Sequence, residues 1–441
     1  MRQLVSKCFP LSLGGTHLQQ NLISSARASE SKSSNLLLQT GLISPSCAGM
    51  FHFLPPLLRS IKKLEALIDK HMLDIDGQKL QLSSLGPKWI WDKTGRWATF
   101  GDELLTTQVS GSHYCLSPTH EEAICSVMSQ YLKQLSHVHL PIRLYQTTTK
   151  YRGEAKPHSG LLRCREFIMN DLYTFDVDEQ SAATTYQSVC NMYDNIFRDL
   201  GVAVIKASAG TGVIGGVMSH EYHIKSDVGE DKVGFCEKSH QAWNLSNMTL
   251  DELPVDPEYI KEIKCIEVGH TFLLGSHYSK KLDVHYINKN QDTVACEMGC
   301  YGLGVSRIIA ACLEAMSSEN ALRWPLALAP YKVCIIPPKS GSREESMNTD
   351  LVNELYDLLH NTTEFTDDVI IDDRTNRTIG WRAKHANLVG YPVTIVVGKT
   401  IMDTEPKLEV ILQKEKDSTN YISVPDVVDY LKKQLCFRSN K

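Results

Sequence analysis

Residues 145–175 constrain this chain more than any other stretch. Two strand-like runs, 142–150 and 162–176, flank a loop bearing Gly153, Pro157 and Gly160. Folded back as a hairpin, they bring Arg152, Glu154, Arg163 and Phe167 near one another. A guanidinium stays charged and grips phosphate oxygens with two parallel N–H groups. An aromatic ring offers a face on which a nucleobase stacks. Together these are the parts of an ATP site built without a Walker loop. A lone Arg-x-Glu would read as a surface ion pair; the combination is far more specific.

Two further segments carry chemistry. In the first, Glu297 precedes Gly299, Gly302 and Gly304, and Arg307 follows at the start of an apolar run, 305–316. Glycines let a backbone approach a ligand closely. An apolar helix that opens on an arginine suits an anion at that end. The pattern predicts a Gly-rich turn feeding the helix. In the second, Pro118, Thr119, His120, Glu121 and Glu122 open a helix expected to run to about residue 135. Thr119 and Glu121 could hold an amino acid's ammonium group. A capped helix with acids in its first turn explains the same residues equally well.

Apolar residues at helical spacing predict helices over 54–72 and 179–200. Residues 224–264 are weakly patterned, and Trp324, Pro325 and Pro330 mark a boundary. Beyond it, strands at 333–336, 369–371 and 393–397 alternate with helices at 350–360, 378–389 and 425–435. The expected fold is an α+β catalytic domain with an antiparallel sheet, followed by a small α/β domain with a mixed sheet. The expected boundaries are 35–325 and 330–441.

The formal charge of −5 argues against coating nucleic acid by bulk charge, though a local basic groove remains compatible with it. Thirteen scattered cysteines without a CxxC pair fit free thiols in a reducing compartment. No apolar run reaches the roughly 20 residues that span a bilayer, so an integral membrane protein is not expected. Residues 1–34 are rich in serine and carry Arg2, Lys7, Arg27 and Lys32 against a single acid, Glu30. That composition suits a mitochondrial transit peptide.

The three segments resemble the motifs of class II aminoacyl-tRNA synthetases. In detail they are similar to prolyl-tRNA synthetases of the bacterial and mitochondrial type. The strings that carry this are Pro118 to Glu122, Arg163 to Asp171, Gly215-Gly216 with Ser219 to Glu221, Glu267 to His270 with Leu274-Gly275 and Tyr278-Ser279, and Met298 to Gly302. Asp372, Asp373 and Arg374, with Gly380 and Gly390 to Pro392, resemble the family's C-terminal anticodon-binding domain. The resemblance runs from about residue 36 nearly to the end.

The resemblance implies roles. Arg152 would hold the ATP α-phosphate and the proline carboxylate side, and Glu154 would contact adenine. Arg163 and Arg307 would hold the β- and γ-phosphates, and Phe167 would stack on the base. Arg152 and Arg307 would be the catalytic pair. Glu297 would be a Mg²⁺ ligand. Thr119, Glu121 and His270 would line the proline pocket, and Asp373 and Arg374 would contact the anticodon. It implies a homodimer in the mitochondrial matrix that consumes ATP and L-proline and charges tRNA(Pro).

The chain departs from the family pattern in places. Ser83 stands where motif 1 carries a proline, and Gly153 interrupts the usual Arg-Asp-Glu. Lys156-Pro157-His158 replaces Arg-Pro-Arg in a loop that faces the tRNA acceptor end. The interval between Ile224 and Glu267 is too short for the editing domain of many bacterial members, so no editing of mischarged alanine in cis is expected. Residues 210–215 fit GxGxxG without a helix after them, and Gly398-Lys399-Thr400 lacks the first P-loop glycine. Cys236, His240 and Cys265 are too few for zinc, and His220 and His223 are wrongly spaced for a zincin. A catalytically silent accessory subunit is the alternative, but Arg152, Arg163 and Arg307 are all present. A synthetase for threonine, glycine or histidine is a further alternative, and the pocket strings favour proline.

Overall fold

The computed structural model describes residues 2–9, 31–131, 136–246, 253–347, 349–413 and 418–436. Its larger part is built on a nine-stranded sheet: β1 (Gln78–Lys79), β2 (Ile142–Tyr151), β3 (Glu166–Asp176), β4 (Ile205–Ala209), β5 (Met218–Lys225), β6 (Asp231–Cys236), β7 (Ala242–Asn244), β8 (Ile260–Gly275) and β9 (Glu297–Leu303). The spatial order is β5-β4-β7-β6-β8-β9-β3-β2-β1, and β5 also pairs with β8. The β2–β3, β3–β9, β8–β9 and β5–β8 pairs are all antiparallel. The expected helices pack on this sheet. Pro55–Leu73 buries Leu57, Ile61, Leu64 and Ile68 as one stripe. Glu179–Leu200 is capped by Asp178, which accepts from the Ser181 amide at 2.7 Å, and it stops at Gly201 with φ 69°. Val305–Met316 is apolar almost all round and lies in the main core.

Three local expectations change. Residues 299–304 are not a turn: Glu297–Leu303 is a strand between β8 and β3, and only Gly304 stands outside it, as the cap of the helix that follows. Glycine-rich runs read as turns locally, but pairing on both sides holds this one extended. The weakly patterned interval 224–264 supplies β6, β7 and the first part of β8. The helix after Thr119 is Glu121–Tyr131; residues 132–135 lie outside the described residues.

The smaller part is a five-stranded mixed sheet. Val333–Ile336 lies between Val369–Ile371 and Val393–Val396, both parallel to it. Lys407–Leu412 and Ser418–Ser423, which the sequence pattern did not announce, add two antiparallel strands. Helices Thr349–His360, Ile379–Val389 and Val427–Cys436 accompany the sheet.

The amino-terminal residues make defined contacts. Leu4 bridges Ile371 at the edge of the small sheet, Val5 is buried, and the Ser6 amide donates to Asp373 at 2.8 Å. Ser31 caps helix Lys32–Gln39. Its hydroxyl and the Ser33 amide both donate to the Glu314 carboxylate at 2.8 Å. The expected boundary at residue 34 therefore falls inside a helix whose start is anchored to the large domain.

Candidate active site

Two adjoining cavities of about 300 and 340 Å³ open on the sheet. They share Glu103, Arg152, Phe167, Glu267 and Arg307. The hairpin residues meet as the sequence predicts. Arg152 follows β2, and its guanidinium lies 5.2 Å over the Phe167 ring on β3. Arg307 reaches back from the first turn of its helix to Glu267 on β8, with Nη1 donating to Oε2 at 3.2 Å and to the main-chain oxygen at 3.3 Å. Burial, and then the like charge of Arg307, pull the Arg152 pKa down. Its Nε is buried without a hydrogen-bond partner. Two guanidiniums face one cleft, and an anion placed between them would relieve both costs.

The first cavity is closed at its rim by ion pairs. Arg163 Nε donates to Glu154 Oε2 at 2.7 Å, Arg163 also pairs with Glu230, and His158 Nε2 lies 2.5 Å from Glu230 Oε1. Glu154 is thus engaged with Arg163 at the rim, and Glu230, unmarked in the sequence reading, occupies the cations of the loop. Removing this competitor should favour phosphate binding. Glu230→Gln should lower KM for ATP by up to about fivefold, the worth of an exposed ion pair. Pyrophosphate exchange at varied ATP measures it.

The departure at Gly153 has a steric cause. A Cβ there would strike the carbonyl of Asp102, and the Gly153 amide donates to the Glu103 oxygen at 2.8 Å. The loop after β2 is therefore laid directly on the 101–103 turn, which an aspartate would push away. Pro157 fills the space above Gly49.

The second cavity gathers Thr119, Glu121 and His270. Thr119 Oγ1 donates to the Glu121 carboxylate at 2.7–2.8 Å instead of serving as a helix cap. Burial would raise the Glu121 pKa, but the Arg96 charge and bonds from Cys300, Arg96 and Thr119 outweigh it and hold the group at about 2. His270 stacks on Phe272 at 3.8 Å between centroids. The Gly-rich loop at 210–214, set aside as a false dinucleotide motif, lines this cavity, as do Asp171 and Cys300. No spacing rule marks them, because each arrives from a different strand or loop.

Glu297 is not brought to either cavity. It sits at the first position of β9 opposite Asp176, and the nearest residue of that strand lining the cleft, Cys300, is three residues along. At about 3.3 Å per residue that is roughly 10 Å. Glu221 and Glu267 are among the carboxylates that line the cleft. Among the described residues these two and His270 form the one group of three potential ligands whose atoms lie within 4.8 Å of one another. Burial opposes ionisation of Glu267, but the His270 hydrogen bond and Arg307 charge hold it at about 2. Two carboxylates suit a hard divalent cation.

On the small domain, Arg374 is locked to Asp372, with Nη2 to Oδ2 at 2.6 Å, and lies 4.9 Å over the Trp381 ring. Asp373 accepts from Ser6.

Comparison with known proteins assigns this architecture. The model of the tRNA synthetase class II core domain (G, H, P, S and T) matches residues 105–316, and that of the anticodon binding domain matches 332–434. The probable mitochondrial proline–tRNA ligase of Rattus norvegicus is 45% identical over 383 residues, covering 86% of this chain and 80% of the relative. Its Homo sapiens counterpart is 42% identical over 404 residues, covering 91% and 84%. The chain belongs to the prolyl-tRNA synthetase family. Its fold also matches the Cryptosporidium parvum prolyl-tRNA synthetase solved with halofuginone and AMPPNP, at TM-score 0.74 and 19% identity over 92% of this chain and 77% of that one. Membership fixes the class II fold with its ATP-binding catalytic domain and anticodon-binding domain. The interval that could have held an editing domain is here filled by strands β6, β7 and the start of β8.

Proposed function

We propose that this chain activates L-proline with ATP to prolyl adenylate and transfers proline to the 3′ end of tRNA(Pro). The observation that carries this reading is the continuous cleft with Thr119 and Glu121 at one end and Arg152 and Arg307 along its shared wall. Glu121, ionised and buried, accepts the ring ammonium with Thr119. The proline carboxylate then points toward Arg152, where the α-phosphate lies. In-line attack of a carboxylate oxygen on the α-phosphorus forms the mixed anhydride and expels pyrophosphate. Arg152 and Arg307 neutralise the phosphate oxygens as charge moves onto them, and Phe167 offers its ring to the base. Arg163 and Glu154 meet the outer phosphates and adenine after exchanging their present ion pair. A Mg²⁺ held by Glu221 and Glu267 would add positive charge at the phosphates. The terminal tRNA hydroxyl then attacks the adenylate carbonyl and releases AMP.

Proline-dependent ATP–pyrophosphate exchange tests this. Exchange with proline, and none with threonine, glycine or histidine, is expected. No exchange by well-folded protein would instead support a silent accessory subunit.

Further readings belong with it. The catalytic domain extends to about residue 325 and the anticodon domain from 330, with Asp373 and Arg374 contacting the anticodon. The enzyme is a homodimer, for which exposed Leu85, Trp89 and Val109 offer apolar surface; sedimentation as a monomer would refute this. It acts in the mitochondrial matrix, in keeping with the names of its relatives. A targeting segment would end before Ser31, which anchors Glu314. A fluorescent reporter carrying residues 1–30 tests that, and a diffuse cytosolic signal would count against it.

A further inference from the structure

Behind the Glu121 carboxylate, on the side away from the cavity, lies a buried arginine with no place in the family strings. Arg96 is 4% exposed. Its Nη1 donates to Glu121 Oε2 at 2.9 Å and to both oxygens of Glu122 at 3.1 Å. The rings of Trp91, Phe100 and Tyr278 surround the guanidinium at 5.2, 4.9 and 5.3 Å. This aromatic box excludes water and leaves Nε and Nη2 without acceptors. Burying an arginine with two unsatisfied nitrogens is costly. What it accomplishes there is to hold two adjacent carboxylates.

The two carboxylates are treated differently. Glu122 is bound on its other side by Thr94 Oγ1 at 2.8 Å and does not line the cavity. Glu121 does, and it also receives Thr119 Oγ1 and, at 2.9 Å, Cys300 Sγ. One cation cannot neutralise two anions in an apolar box. Burial raises the Glu122 pKa while Arg96 holds Glu121 low, so the negative charge is kept on the cavity side. Without Arg96, the Glu121 carboxyl could bind a proton or turn toward Thr119 and Cys300, and its edge would no longer be fixed.

We propose that Arg96, which touches no substrate, is a positioning residue that fixes Glu121 as the anionic acceptor for the substrate's ring ammonium and so sets selectivity for a cationic secondary amine. The inference rests on the proline-pocket reading given under Proposed function. Arg96 would act on proline binding alone, since the phosphate grip lies at Arg152 and Arg307.

Pyrophosphate exchange with separate KM values for proline and ATP tests it. Removing Arg96 alone strands two buried carboxylates, so the informative variants are Arg96→Lys and the double replacement Arg96→Met with Glu122→Gln. The double variant should raise KM for proline at least about tenfold, the worth of a charged hydrogen bond, with KM for ATP within about twofold. Competition by tetrahydrofuran-2-carboxylate, a ring of similar shape without the ammonium, should strengthen relative to proline. Arg96→Lys, which keeps the charge, should recover much of the loss. A purely structural arginine would move both KM values together or lower active-enzyme content alone, and either result overturns the proposal. Glu121→Gln separates the two layers. If it leaves KM for proline unchanged, the pocket reading itself fails. If it raises that KM while both Arg96 variants bind proline normally, only the role of Arg96 fails.

Discussion

Arg152→Ala should lower proline-dependent pyrophosphate exchange by about 10²–10³-fold or more while leaving the fold intact. The scale is that of removing a preorganised donor to developing negative charge. The reason for expecting little structural loss lies in the environment. Arg152 is half-buried beside Arg307, and both desolvation and that like charge disfavour its cation. Its side chain packs on Phe167, but its Nε has no partner. The hairpin is held by other bonds, among them the Arg152 amide to the Arg165 oxygen at 2.9 Å, which alanine retains. Truncation therefore removes a strained charge, and the thermal midpoint should stay level or rise slightly. Near-normal exchange would refute the proposed contact with the α-phosphate. A collapsed thermal midpoint would show that the guanidinium supports the hairpin.

The second large effect is on stability. Lys150→Met should cost about 3–5 kcal/mol of unfolding free energy in urea, the range for breaking a buried ion pair from one side. Lys150 is fully buried under the hairpin, with Nζ 2.5 Å from Asp171 Oδ1 and 2.6 Å from Thr148 Oγ1. Asp171 Oδ2 also receives Gln146 Nε2 at 3.0 Å and the Tyr173 hydroxyl at 2.8 Å. Gln146 in turn accepts the Leu82 amide at 2.9 Å, and Tyr173 accepts that of His120 at 2.9 Å. The pair thus ties the β2–β3 hairpin to the loop before the Glu121 helix. Losing the lysine leaves Asp171 charged, buried and facing the substrate cavity. The double variant Lys150→Met with Asp171→Asn should regain part of the loss, and the cycle gives the coupling energy. A cost below about 1 kcal/mol for the single variant would mean that water reaches Asp171 through the cleft.

Much of the site was legible along the chain because its residues are local. Arg152, Arg163 and Phe167 stand within one hairpin, and strand alternation with an intervening Gly/Pro loop is enough to foretell that they meet. Arg307 was legible because a charged residue opening an apolar helix stands out in periodicity. By local pattern Thr119 and Glu121 fit a helix cap and a substrate pocket equally well. Arg96, 25 residues upstream of Glu121, carries no local signal, and only the fold lays it against the carboxylate.

Long-range pairing decided the rest. Glu297 and Gly302 are near in sequence and in one motif, yet an extended strand separates them, so the motif's acid lies away from the motif's arginine. Glu221 and Glu267 are 46 residues apart, and antiparallel pairing of β5 with β8 places Glu221 opposite His270. A one-residue slip of that register would turn one of the two acids to the other face. The family, the hairpin and the order of domains can be read along the chain, since those depend on local periodicity and short motifs. The carboxylates that face the cleft, the arginine behind Glu121 and the loops that line the cavity emerge only in the fold. Those depend on sheet register and on packing between segments that share no local signal.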